Sequence, residues 1–115
     1  MMTKMTRING NQLFLLERRL RRLLIYARLG VMAMLDYCGK DGVPYQDIKD
    51  ALRLPDGSLG PNLAWLKKNG YLEARDEMVE GRNVAVYYAT DEGKQAYAQV
   101  KKWLDTLLRA NGNSD

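Results

Sequence analysis

The 115-residue sequence predicts a single domain that is mainly α with one small β-hairpin, an α+β fold. Three observations predict it. Leu13, Leu16, Leu20, Leu23 and Ala27 recur at alternating steps of three and four, the a/d spacing of a helix with one apolar seam. Residues Leu72 to Met78 alternate along the chain. A β-rich stretch, "VAVYYA", follows them across the loop "VEGRN". Near the end, Ala96, Val100, Trp103, Leu107 and Ala110 return to helical spacing.

The elements follow in order. Residues 1–10 are polar and aperiodic and are expected to be a flexible N-terminus. The domain proper is expected over 11–110. Asn11 is placed to cap a long first helix that breaks or bends near Gly30, and a further helical segment runs from about Val31 to Cys38. Pro44 suits the first turn of a short helix, "PYQDIKDALRL", with Ile48, Ala51 and Leu52 on its apolar side. "LPDG" is a turn. The helix after it carries Leu59, Leu63 and Leu66 on one face, with Asp56 or Ser58 as its cap. Gly81 supplies positive φ in the hairpin loop, and Thr90 caps the last helix. Residues 111–115 are expected to be a flexible tail.

Composition excludes several function classes. The chain has no histidine and a single cysteine, Cys38, so an internal disulfide is excluded and a zinc site would need mostly carboxylates. No catalytic residue, metal site or cofactor is expected: neither a nucleophile beside a base nor a phosphate-cradling glycine loop is present. Cys38 reads as a small apolar residue at a helix end, with a redox sensor as the alternative. No apolar run approaches the roughly 18 residues of a membrane span, and the first residues lack a signal-peptide core. A cytoplasmic location is expected. Charge is uneven: residues 1–30 carry seven bases against one acid, within a chain of net charge +4. A basic block on an otherwise balanced domain points to a polyanionic partner, with a solvated helix face as the plainer reading.

The central segment, "YQDIKDALRLPDGSLGPNLAWLKKNGYLEA", supplies a support helix, a tight turn and a second helix with one buried and one open face. Together with "YYATDEGKQAY" after the hairpin it resembles the winged helix-turn-helix transcriptional regulators of the MarR, PadR and ArsR type. The resemblance rests on Asp56-Gly57-Ser58-Leu59, Leu63, Leu66, Asn69-Gly70-Tyr71-Leu72, Gly81-Arg82 and Tyr88-Ala89-Thr90-Asp91-Glu92-Gly93, and covers about residues 28–100. It implies additional N- and C-terminal dimerisation helices, double-stranded DNA as partner, and room for a small-molecule effector that nothing in the sequence identifies. The chain departs from the pattern at Gly60 and Pro61, where the family has serine and then a basic or polar residue. The reading helix is therefore expected to start near Gly60 with little side-chain reach.

Candidate residues follow from these placements. Asn62 is the candidate base reader, since a carboxamide pairs with adenine through two hydrogen bonds, and helix capping is its alternative role. Ser58 suits a phosphate or a base. Trp65, off the leucine face, is expected to point outward, or else to pack on the wing or another subunit. Lys67 and Lys68 are candidate phosphate contacts, as are Lys49 and Arg53 on the support helix, and Arg82 is the wing tip. The expected dimer interface comprises Leu13, Leu16, Leu20, Leu23, Ala27, Val100, Trp103 and Leu107, flanked by the arginines of "ERRLRR". The leading function is a dimeric, sequence-specific DNA-binding transcriptional regulator. The alternatives are a winged-helix protein-interaction module and a chromatin-like DNA binder of low sequence specificity.

Overall fold

The computed structural model describes residues 14–112. Asn11, Leu13, the expected flexible end at 1–10 and residues 113–115 of the expected tail at 111–115 lie outside that range, whereas residues 111–112 of that tail belong to the last helix. The elements are α1 (Arg18–Arg21), α2 (Tyr26–Cys38), a 3-10 turn (Gly39–Asp41), β1 (Val43–Pro44), α3 (Tyr45–Leu52), α4 (Asp56–Lys68), β2 (Leu72–Val79), β3 (Arg82–Ala89) and α5 (Asp91–Gly112). The three strands form an antiparallel sheet in the order β1-β3-β2.

The long first helix of the sequence reading is two pieces. After α1 the amides of Leu23 and Leu24 bond three residues back, to Leu20 and Arg21, and Ile25 adopts an extended conformation before α2 begins. Helix α2 then runs unbroken through Gly30. There a Cβ would stand 2.7 Å from a methyl of Leu52, so the glycine serves close packing of α2 on α3 rather than a bend. The break at residues 22–25 has a packing cause. It turns Leu16, Leu20 and Leu23 into one core with Val31, Met32 and Leu35 of α2, and leaves Leu24 and Ile25 outside. The a/d spacing therefore marks core positions. Leu16, Leu20, Leu23, Ala27 and Val100 are all covered within a single chain and do not form an open seam.

The same core takes Ile48 from α3, Leu59, Leu63 and Leu66 from α4, Tyr71 and Leu72, and Ala96 and Val100 from α5. No polar or charged residue is buried among the described residues. Stability therefore comes from apolar burial, at roughly 25 cal/mol per Å².

Hairpin β2–β3 closes through Glu80 and Gly81, both at positive φ (51° and 78°), as a two-residue turn matched to strand twist requires. Thr90 caps α5 as expected: its hydroxyl accepts from the Gly93 amide at 3.0 Å and donates to the Gly70 carbonyl at 2.5 Å. Gly93 is obligatory there, since a Cβ would lie 1.9 Å from the Tyr71 carbonyl oxygen. Strand β1 was not legible: two residues carry no periodicity, and pairing with Val86 and Tyr87 defines it. Pro44 accordingly lies at the N-cap of α3 rather than inside its first turn.

Candidate nucleic-acid interface

Helices α3 and α4 are joined by a tight turn in which Arg53 adopts the left-handed conformation (φ 54°, ψ 49°). The Leu54 amide bonds back to Lys49 O, which closes α3. Pro55, extended, is the N-cap of α4, and its carbonyl accepts from the Ser58 and Leu59 amides. The start of α4 is tied to α3 by side chains. The Tyr45 hydroxyl donates to Asp56 Oδ1 at 2.6 Å, and Lys49 Nζ lies 3.2 Å from the same oxygen. The hydrogen bond from Tyr45, then that from Lys49, holds the Asp56 carboxyl below its ordinary range. The hydrogen bond to Asp56, ahead of desolvation, pushes the Tyr45 phenol up to about 12. A carboxylate in this first turn also complements the helix dipole.

Helix α4 begins at Asp56, a turn earlier than the expected Gly60, and Pro61 lies inside it. Two features accommodate the proline. Gly60 lacks the Cβ that would meet the proline ring in a helical conformation. The Gly57 carbonyl, which loses its i+4 donor, is on an exposed residue open to water. Leu59, Leu63 and Leu66 face the core as expected. The exposed positions of α4 are Asp56, Gly57, Pro61, Ala64, Lys67 and Lys68. Up to the two lysines that outer surface is nearly without side chains. A Cβ at Gly57 would meet nothing within 4 Å, so no packing inside the chain requires glycine at that position.

The two large side chains that α4 was expected to offer outward are engaged within the chain. Asn62 is half-buried. Its Oδ1 accepts from Arg28 Nε at 2.9 Å, and its Nδ2 donates to Ser58 O at 2.8 Å. Trp65 is also half-buried. The Arg28 guanidinium lies 3.8 Å over its ring centroid, and the Tyr71 ring packs against it at a tilt, with centroids 6.1 Å apart. The nearness of Arg28 accounts for both displacements. In the sequence Arg28 is one charge of the basic block, since 34 residues separate it from Asn62 and no periodicity links the two. Ser58 is half-buried.

Of the basic candidates, Arg53, Lys67 and Lys68 are exposed, and Lys49 is held by Asp56. On the wing, the Tyr88 hydroxyl donates to Glu77, and Arg75 stacks 4.2 Å over the Tyr88 ring while pairing with Glu73 at 2.7 Å. Arg82 opens β3 beside the turn, exposed, and makes no ion pair among the described residues. Arg53, Lys67, Lys68 and Arg82 are thus the uncommitted cations of the helix-turn-helix and wing.

On α5, Trp103 and Leu107 are half-buried, with Trp103 Nε1 donating to Phe14 O at 3.0 Å. Large apolar side chains that remain open include Leu15 (63% exposed) and Leu108 (60%), with Leu104 at 36%. No described helix is long and apolar enough to cross a membrane, and no group of potential metal ligands occurs among the described residues.

Comparison with known proteins agrees with this geometry. An uncharacterised protein of Methanocaldococcus jannaschii is 26% identical over 85 residues, covering 74% of this chain and 84% of that protein. The structure of a transcriptional regulator homologue from Pyrococcus horikoshii OT3 is similar with a TM-score of 0.64 at 24% identity, over 86% of this chain and 91% of that one. MepR of S. aureus, in a structure of its complex with DNA, is similar with a TM-score of 0.68 at 14% identity, over 96% and 88% of the two chains. The winged helix DNA-binding domain family matches residues 27–108, the span in which two packed helices, a bare third helix and a hairpin with Arg82 beside its turn have just been described, and the chain belongs to that family.

Proposed function

We propose that this chain is a dimeric, cytoplasmic transcription regulator that grips double-stranded DNA through α4 and the wing, chiefly by contacts to the phosphate backbone. One observation carries the backbone emphasis: the exposed positions of α4 between Asp56 and Lys67 are Gly57, Pro61 and Ala64, none with a polar side chain, and Asn62 is engaged by Arg28 and Ser58 O. Arg53, Lys67, Lys68 and Arg82 supply charge, which positions a duplex without reading it. Of the readings open to the sequence, this favours a binder of low sequence specificity over one whose α4 reads bases directly. What discrimination exists would come from duplex shape, or from apolar contact of Pro61 and Ala64 with thymine methyl groups.

The dimer reading keeps Trp103 and Leu107 of the expected interface but replaces the leucines of the first helix and Val100 with more open residues. Leu15, Leu104 and Leu108, beside half-buried Trp103 and Leu107, leave an apolar strip along the outer half of α5 that a second copy would cover. A DNA-binding fold and a basic N-terminal segment support duplex DNA as partner over a protein-interaction role. The test is selection of bound duplexes from a random pool at two salt concentrations. Steep salt dependence with a weak consensus supports the proposal. Salt-insensitive binding, or none, favours the protein-interaction reading.

A further inference from the structure

We propose that Arg28 is a positioning residue of the DNA interface, locking α4 to the α1–α2 joint by its hydrogen bonds to Asn62 and Arg22 O and its stacking on Trp65. The inference rests on the DNA-binding reading above. The guanidinium joins three places in the fold. Nε donates to Asn62 Oδ1 at 2.9 Å, Nη1 donates to the Arg22 carbonyl at 2.9 Å, and the plane covers the Trp65 ring at 3.8 Å. Asn62 and Trp65 lie three residues apart on the same side of α4, so one planar group fixes that helix at two points. Arg22 is the residue at which α1 ends, and the break between α1 and α2 follows it.

The arrangement needs arginine. A lysine ammonium lacks both the rigid fork for two directed hydrogen bonds and the flat face for stacking. The lock has two effects on the interface. Together with Leu59, Leu63 and Leu66 in the core, it holds the rotation of α4 about its axis, which decides whether Gly57, Pro61 and Ala64 meet the duplex. It also keeps both polar atoms of Asn62 away from base edges. An Arg28 that merely touched phosphate would need no such partners.

The test compares wild-type protein with Arg28→Lys and Arg28→Met on one random-sequence duplex, over a range of salt. Circular dichroism confirms that each variant is folded at the assay temperature. The lock predicts that both variants weaken binding by about tenfold, the scale of a lost stacked and hydrogen-bonded guanidinium, with the salt slope unchanged. Trp65→Leu, which removes the stacking surface from the other side, should weaken binding in the same way and carries the test should an Arg28 variant fail to fold. Rescue by lysine, with a slope shallower by about one only in Arg28→Met, would make Arg28 a phosphate contact and overturn the lock. Wild-type affinity in the folded variants would overturn it as well. A wild-type protein that binds no duplex would bring down the DNA reading itself, and that outcome is distinct because it precedes any substitution.

Discussion

Helices α4 and α5 treat their outward faces in opposite ways. Between Asp56 and its two terminal lysines, helix α4 turns its large side chains inward, leucines into the core and Asn62 and Trp65 onto Arg28, and shows solvent Gly57, Pro61 and Ala64. Helix α5 buries Ala96 and Val100 in its first half, then leaves Leu104 and Leu108 open farther along. A nearly bare surface lets a large, smooth polyanion approach the helix backbone. An apolar strip asks for another apolar surface. Under the proposed function, the difference suits the two helices to two kinds of partner, DNA and a second copy.

The comparison breaks most sharply in the core. Leu20→Ala or Leu23→Ala removes a fully covered side chain and should lower stability by about 2–5 kcal/mol in denaturant unfolding. Leu104→Glu with Leu108→Glu should instead leave the fold intact and yield monomers in light scattering. A double variant that stays dimeric would remove α5 from the interface. Smaller is Arg82→Ala, expected to weaken binding to every duplex alike by about 1 kcal/mol with a shallower salt slope. Gly57→Ala sharpens the contrast, because nothing inside the chain would touch the added Cβ. It should stabilise the fold by about 0.4–1 kcal/mol while weakening DNA binding, so that thermal midpoint and affinity move in opposite directions.

The smallest effect concerns the latch at the start of α4. Tyr45, raised to about 12 in the fold, contributes stability that is fully present below the ordinary phenol value of 10.0 and is lost as pH rises towards 12. Asp56, lowered in the fold, contributes stability present above the ordinary carboxylate value of 3.8 and lost as pH falls below it. Tyr45→Phe should flatten the alkaline part of the stability profile and weaken the acid part, which chemical denaturation across pH would show.

Helix α4, the hairpin and the last helix were legible because each has a local signature: leucines at helical spacing, alternation around "EG", and Thr90 three residues before Gly93. The N-terminal break was not. The spacing of Leu16, Leu20, Leu23 and Ala27 reports which residues face inward, and a bent chain can satisfy it as well as a straight helix. The same ambiguity made core residues look like a dimer seam. Within the candidate interface, Arg53, Lys67, Lys68 and Arg82 were found as charges on expected elements, and the structure leaves them exposed. Asn62 and Trp65 were found by position, but their engagement depends on Arg28, a long-range partner that helix periodicity cannot reveal.

The central claim is that α4 holds duplex DNA without reading its bases. The most direct measurement is the ratio of affinities for the best duplex selected from a random pool and for a random duplex, taken at two salt concentrations. The account predicts that both affinities fall steeply and in parallel as salt rises, with a ratio of about ten or less, well under the 10³ or more typical of specific binders. A ratio in that specific range, abolished by Asn62→Ala, would contradict it.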